Sequence, residues 1–216
     1  MNKNLIIKKI KENVKDFFKN DFTGHDWWHS WRVWKLAKKI TQKEGGDSFI
    51  IELAALLHDV DDWKFSDGKN SRAILAKKWL KQLKINKDEI RHICHIVENI
   101  SFKGAEIKNK IKTKEGMIVQ DADRLDAVGA IAIARVFMWG GYAKREMYNP
   151  NISPKKYKTF KQYKNSKSTS INHFYEKLLL LKDRLNTKTA KKIAIKRHKF
   201  MEKFLRQFFN EWNNKL

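Results

Sequence analysis

Only two prolines occur among 216 residues, Pro150 and Pro154, and both fall in one polar stretch. Proline removes a backbone donor and clashes with the preceding turn, so a chain without it elsewhere is free to run in long helices. The apolar residues follow that lead. In residues 3–19 the positions Leu5, Ile6, Ile10, Val14, Phe17 and Phe18 share one side of a helix. A second helix is expected from about Asp26 to Lys43, ended by Gly45-Gly46. A third follows an Asp47 or Ser48 cap and runs to His58 as FIIELAALLH, a string so apolar that it predicts a central helix buried all round. Further helices are expected near 68–83, 87–100, 115–138, 170–184 and 187–213. No strand alternation and no internal repeat stand out. The expected architecture is therefore a single all-α domain over 1–216, with 143–169 as a long polar loop or mobile cap.

Composition narrows the class. Hydrophobic residues make up 42%, eight of them Trp, which suits a packed core despite 33% charge. A single cysteine, Cys94, rules out an internal disulfide framework and fits a reducing cytoplasm. No run approaches the roughly 18 apolar residues of a membrane span, and the amphipathic start MNKNLIIKKIKENVKDFF is unlike an export signal. The net charge of +23 admits nucleic-acid binding through phosphate neutralisation. Its cations are mostly Lys, however, and spread along almost every segment. That distribution points to a Lys-rich composition, with attraction of small phosphorylated substrates as a consequence.

Polar residues in apolar phase mark a site. His29 lies in the helical stripe of Val33, Leu36, Ala37 and Ile40. A lone histidine there is ordinarily a satisfied core residue. The doublet His58-Asp59 changes the balance, because it closes the most apolar helix where it meets the polar loop VDDWKFSDGKN. An HD dipeptide alone is weak, and His25-Asp26 is a second one. Asp123, in QDADRLDA at 120–127, aligns on its helix with Val119, Ala127, Ala130 and Phe137. Asp126 falls one turn further on the same side, while Asp121 is expected to point elsewhere. Two imidazoles and two carboxylates are costly to bury unpaired. One divalent ion satisfies all four and leaves two octahedral positions for water or phosphate oxygens. Mixed N/O ligation suits Mn²⁺, Fe²⁺, Co²⁺, Ni²⁺ or Mg²⁺ better than a closed structural zinc site.

The segments HDWWHSWRVWKLA, LAALLHDVDDWKF and VQDADRLDAVGAIAIAR resemble the three signatures of the HD-domain metal-dependent phosphohydrolases, and among them the small standalone bacterial HD hydrolases. The tail segments HFYEKLLLLKDRLNTKTAKKIA and RHKFMEKFLRQFFNEW extend the likeness to nearly the full length. The resemblance implies an all-α HD bundle with a central metal site, and ligands His29, His58, Asp59 and Asp123. It tips the substrate towards nucleotides, with cleavage of a triphosphate to monophosphate and pyrophosphate as one candidate reaction. Some HD relatives hold two metals through further histidines. His92 and His95 could extend the site in that way, but in the subfamily their helix is expected to line the substrate pocket.

Roles for other residues follow from their placement. Arg124 adjoins a ligand and would neutralise developing charge. Arg32, Lys64, His95 and Lys103 are candidates for holding substrate. Asp62 or Glu98 would act as general base or orient water, and His25, four residues before His29, would touch substrate or protonate a leaving oxygen. Two rival readings stand beside this one. The charge and the tryptophans fit a basic nucleic-acid-binding helical protein, although Trp27, Trp31 and Trp34 sit at core-like helical spacing. A metal-stabilised HD regulator without catalysis is the other. No membrane partner is expected, and oligomerisation is left open.

Overall fold

A computed structural model describes residues 2–61, 73–101, 110–157, 159, 162 and 168–215. All regular structure among them is helical. The described residues through Asp123 form one compact unit and those from Arg124 onward a second.

The first unit is built around an apolar helix. Helices α1 (Lys3–Phe17), α2 (Trp27–Glu44) and α3 (Ser48–Leu57) follow one another closely in the chain. Every residue from Phe49 to Leu57 is buried, as the FIIELAALLH string predicts. α3 packs against α1, α2 and α5 (Lys87–Asn99), and α4 (Ile74–Gln82) packs on α5. α1 contributes Ile6, Ile10, Val14 and the following Phe18 to this core, whereas Leu5 and Phe17 of the predicted stripe stay exposed. Side-chain caps set the helix starts: Asp47 accepts from the N–H groups of Phe49 and Ile50, and Asn86 from those of Asp88 and Glu89. Gly45, at φ +76°, closes α2 with its N–H on the Thr41 carbonyl and lets the chain double back into α3.

One polar residue interrupts α3. Glu52 is only 7% exposed, yet it accepts the Trp34 indole N–H at 2.8 Å and the Ser48 hydroxyl at 3.0 Å, with Lys38 Nζ at 3.5 Å. A buried carboxylate without such partners would cost several kcal/mol, roughly. Here it ties α2 to α3 through directional bonds that apolar packing lacks.

The predicted 115–138 helix is two helices, α6 (Lys114–Asp126) and α7 (Ala130–Tyr142). The break comes at Gly129, whose φ of +102° disfavours any side chain, and Arg197 packs where a Cβ would stand. In the second unit α7, α8 (Ser170–Glu176) and α9 (Lys188–Trp212) share an aromatic core in which Phe174 stacks on Phe204 and meets Phe137. The 170–184 expectation resolves into α8 and two 3₁₀ turns, Leu178–Leu180 and Lys182–Arg184.

Several described residues of 143–169 are tied down. Buried Glu176 accepts the Lys155 N–H, the Tyr157 hydroxyl and the Ser168 hydroxyl, while Asn172 donates to the Ile152 carbonyl. Among the described residues no single helix is long and apolar enough to cross a membrane.

Candidate metal centre

The two HD doublets have different fates, and helix capping separates them. Asp26 precedes α2 and its Oδ1 accepts the His29 N–H at 2.8 Å, so this carboxylate is an N-cap. It thereby fixes the first turn of α2, in which His29 is buried at 1% exposure. His58 directly follows α3, and its Nδ1 lies 2.8 Å from the Ala55 carbonyl. A carbonyl only accepts, so this contact places a proton on Nδ1 and leaves Nε2 with a lone pair.

That lone pair faces other donors. His58 Nε2 is 3.1 Å from His29 Nε2, with the rings edge to face at 5.0 Å between centroids. Asp59 lies across them, Oδ2 at 3.3 Å from His29 Nε2 and Oδ1 at 3.5 Å from His58 Nε2. Asp123 Oδ1 on α6 closes the group at 3.6 Å from His29 and 3.7 Å from His58. His29, His58 and Asp59 are all buried and form a set that could hold a metal ion.

The donor set fits a divalent cation. Bonds of about 2.1 Å put neighbouring ligand atoms roughly 3.0 Å apart in an octahedron and about 3.4 Å apart in a tetrahedron. The spacings here, 3.1 to 3.7 Å, lie close to both. Two imidazole nitrogens converging at this distance, one of them an open lone pair, are better satisfied by a shared cation than by each other. Asp123 is the most accessible of the four, with 27% side-chain exposure against 8% or less for the rest, so the opening of the group lies on its side.

The remaining candidates are distributed unevenly. The half-buried His25 ring stands 5.8 Å from the His29 ring, beside the cluster. Arg32 is half-buried on α2. Glu98 is half-buried on α5 one turn from Cys94, and after burial itself it is the main influence that pushes that thiol up to about 11. His95 is exposed and engaged with Asn99 of its own helix. His92 pairs with Thr113 at 3.2 Å and approaches Glu115 at 3.8 Å, so its ring bridges α5 to the start of α6. Among the described residues neither histidine joins the metal-type cluster. The Arg124 guanidinium is largely buried and donates to the Arg184 carbonyl within the second unit. Asp62, Lys64 and Lys103 lie outside the described residues.

One acid corrects the helical-phase reasoning. Asp121, expected to point away, is fully buried, and Asp126 is buried with Arg135 at 2.9 Å. The residues from Ile118 to Asp126 are all buried except Asp123, so direction around the helix does not sort ligand from bystander there. Another acid went unnoticed: Asp61 accepts the N–H groups of Leu75 and Ala76 at 2.9 Å each and caps α4 from fourteen residues away. Ala73 at the start of α4 offers no side-chain cap, which is the local signal that an outside carboxylate is needed.

An all-helical chain with a histidine from one helix meeting a His-Asp doublet at the end of another defines a class. The model of the HD domain family matches residues 27–128, and the chain belongs to that family as an HD-superfamily hydrolase. YpgQ of Bacillus subtilis is 36% identical over 201 residues, covering 93% of this chain and 90% of its own. The crystal structure of that protein in complex with ADP matches with a TM-score of 0.75 over 95% of this chain and 97% of the other. An HD-superfamily hydrolase from Bacillus thuringiensis is 44% identical, with a TM-score of 0.74 over 98% and 99% of the two chains. A Lactobacillus plantarum structure at 34% identity gives a TM-score of 0.87, covering 99% and 100%.

Proposed function

We propose that this chain is a metal-dependent phosphohydrolase of nucleotides that cleaves a nucleoside triphosphate to the monophosphate and pyrophosphate. The observation that carries the reading is the convergence of His29, His58, Asp59 and Asp123 within metal-binding distance of one another. The ADP bound by the related YpgQ supports a nucleotide as ligand.

One divalent ion, Mn²⁺, Fe²⁺, Co²⁺, Ni²⁺ or Mg²⁺, would be held by those four side chains. When bound, it would polarise a phosphoryl oxygen and acidify a coordinated water. The chain's own residues do the rest. The Ala55 carbonyl holds the His58 ring in the tautomer that offers Nε2. Asp26, by capping α2, fixes the backbone at His29. His25, whose ring stands 5.8 Å from that of His29, is the candidate to give a proton to a leaving oxygen. Glu98 and Asp62 remain candidates for orienting the attacking water, and Arg32, Lys64, His95, Lys103 and Arg124 for meeting phosphate charge. The lysine-rich surface draws polyanions towards the opening beside Asp123.

The test is one screen of phosphorylated metabolites with Mn²⁺, Mg²⁺, Co²⁺ and Ni²⁺, reading phosphate and pyrophosphate separately. Pyrophosphate release from nucleoside triphosphates that depends on added metal is expected. Release of inorganic phosphate alone, or turnover indifferent to chelator, would overturn the proposal.

A further inference from the structure

The second unit carries most of the charge excess. Residues 124–216 hold 22 Lys and Arg against six Asp and Glu, whereas residues 1–123 hold 25 against 18. Cations are thus common in both parts, and a shortage of acids sets the second apart. A Lys-rich composition does not by itself thin out the acids of one unit.

The longest helix shows where that excess lies. At 3.6 residues per turn, Lys188, Lys192, Lys196, Lys199, Lys203 and Arg206 of α9 fall within one sector of about 80°. All six are exposed, and the other α9 residue in the sector is exposed Asn210. The sector faces away from Ala190, Ala194, His198, Met201 and Leu205, which bury the helix. Exposed Ile195 and Phe200 flank it on opposite sides. Consecutive cations are three or four residues apart, so each stands beside the next in a ridge about 27 Å long. Like charges at this spacing destabilise a helix. Nor does the first turn hold an acid, although the helix dipole favours one there. Glu202, the acid next to Lys203, faces His198 Nε2 at 3.3 Å.

We infer that this ridge binds the sugar-phosphate backbone of a nucleic-acid duplex, without regard to base sequence. Three features select that partner. A helix that lies on a membrane needs an apolar face to insert, and the apolar face of α9 is turned into the core. Protein interfaces are built around aromatic anchors and are depleted in lysine, whereas the outward sector of α9 has no apolar side chain. Single strands are held by stacking on aromatics, which that sector also lacks. What remains is a straight row of like charges, the complement of a stiff and regular row of phosphates.

Fluorescence anisotropy of a labelled DNA duplex of about 20 base pairs, titrated with the full chain at several salt concentrations, tests this. Neutralising six phosphates predicts a slope of about −5 in log K against log salt, a loss of about a thousandfold in affinity between about 50 and 200 mM. Two duplexes of unrelated sequence should bind alike. Lys192→Gln, Lys199→Gln and Lys203→Gln combined should bring the slope to about −3. A control removes the same charge from exposed lysines of α1, Lys8→Gln, Lys9→Gln and Lys15→Gln combined, and should leave the slope unchanged. Circular dichroism checks that both triple variants keep their helix. No binding by the parent overturns the inference. Equal losses from the two triple variants also overturn it, because net charge alone would then attract the duplex. So would tighter binding to the single strand, or ridge-dependent binding to phosphatidylserine vesicles with none to the duplex. None of these outcomes bears on the metal centre, whose residues belong to the other unit.

Discussion

Replacing Trp34 with Phe removes one hydrogen-bond donor and leaves its acceptor, the Glu52 carboxylate, buried on α3. Hydrogen bonds to charged groups contribute about 1.5–3 kcal/mol. Ser48 and Lys38 still face the carboxylate, so the lower part of that range applies, about 1.5–2 kcal/mol. For a chain of this size each kcal/mol moves the melting temperature by about 2–4 °C, which gives a drop of about 3–8 °C. There is a second consequence. Trp34 lies five residues after His29 and Glu52 six before His58, so in two helices joined by a tight reversal both pairs belong to the same register. A slip of one turn would separate the two imidazoles by about 5.4 Å. Trp34→Phe should therefore weaken Mn²⁺ or Co²⁺ binding as well as lower the melting temperature, and Glu52→Gln, which keeps an acceptor, should do so less. The assays are thermal unfolding by circular dichroism without metal, and metal titration, on both single variants and the double. A melting temperature within 1 °C or so of the parent, or single effects that simply add in the double variant, would refute the reasoning.

Other outcomes follow from the same structure. With its thiol pushed from the usual 9.0 to about 11, Cys94 should react with iodoacetamide at pH 8 about a hundredfold more slowly in the folded chain than in the unfolded one; equal rates would contradict its burial. The folded state holds that proton more tightly, so Cys94 costs stability as pH rises from about 9 to 11; a Cys94→Ser variant should lose less stability over that interval. Asp26→Ala should destabilise the chain by about 1 kcal/mol through the lost cap and keep a metal site, whereas Asp59→Ala should lose the metal; the reverse pattern would show that the doublets were assigned the wrong way round. Glu176→Ala strands three donors, the Lys155 amide and the Tyr157 and Ser168 hydroxyls, and should speed proteolysis between 146 and 157 several-fold; an unchanged cleavage pattern would mean that the Glu176 contacts do not hold these residues.

Much of the fold is legible in the sequence because its signals are local and redundant. FIIELAALLH has no polar face to expose, so burial all round follows from the residues themselves. The pairing of His29 with His58-Asp59 is legible for a related reason: each sits where apolar phase predicts burial, and buried imidazoles need a partner. What escaped is set by contacts distant in sequence. The helix break at Gly129 hides inside an apolar run that continues on both sides, and it becomes evident only when Arg197 occupies the space of the missing Cβ. Asp121 escaped because helical phase sorts inside from outside only when one face is exposed, and residues 118–126 are buried nearly all round. The difference between Asp26 and Asp59 is a matter of cap geometry, which two identical dipeptides do not display. In 143–169 the polar composition reads as a loop, but the anchor that orders its described residues is Glu176, beyond the stretch.

The metal content of the purified protein bears most directly on the central claim. Chain stripped with chelator, reconstituted with Mn²⁺ and separated from free ion is assayed by elemental analysis beside His58→Ala and Asp59→Ala. The account predicts about one equivalent in the parent, in keeping with a single set of four ligands, and loss from both variants while their helical circular dichroism is retained. Full metal in both variants would contradict it, because the ion would then be held somewhere other than the His29, His58, Asp59 and Asp123 cluster.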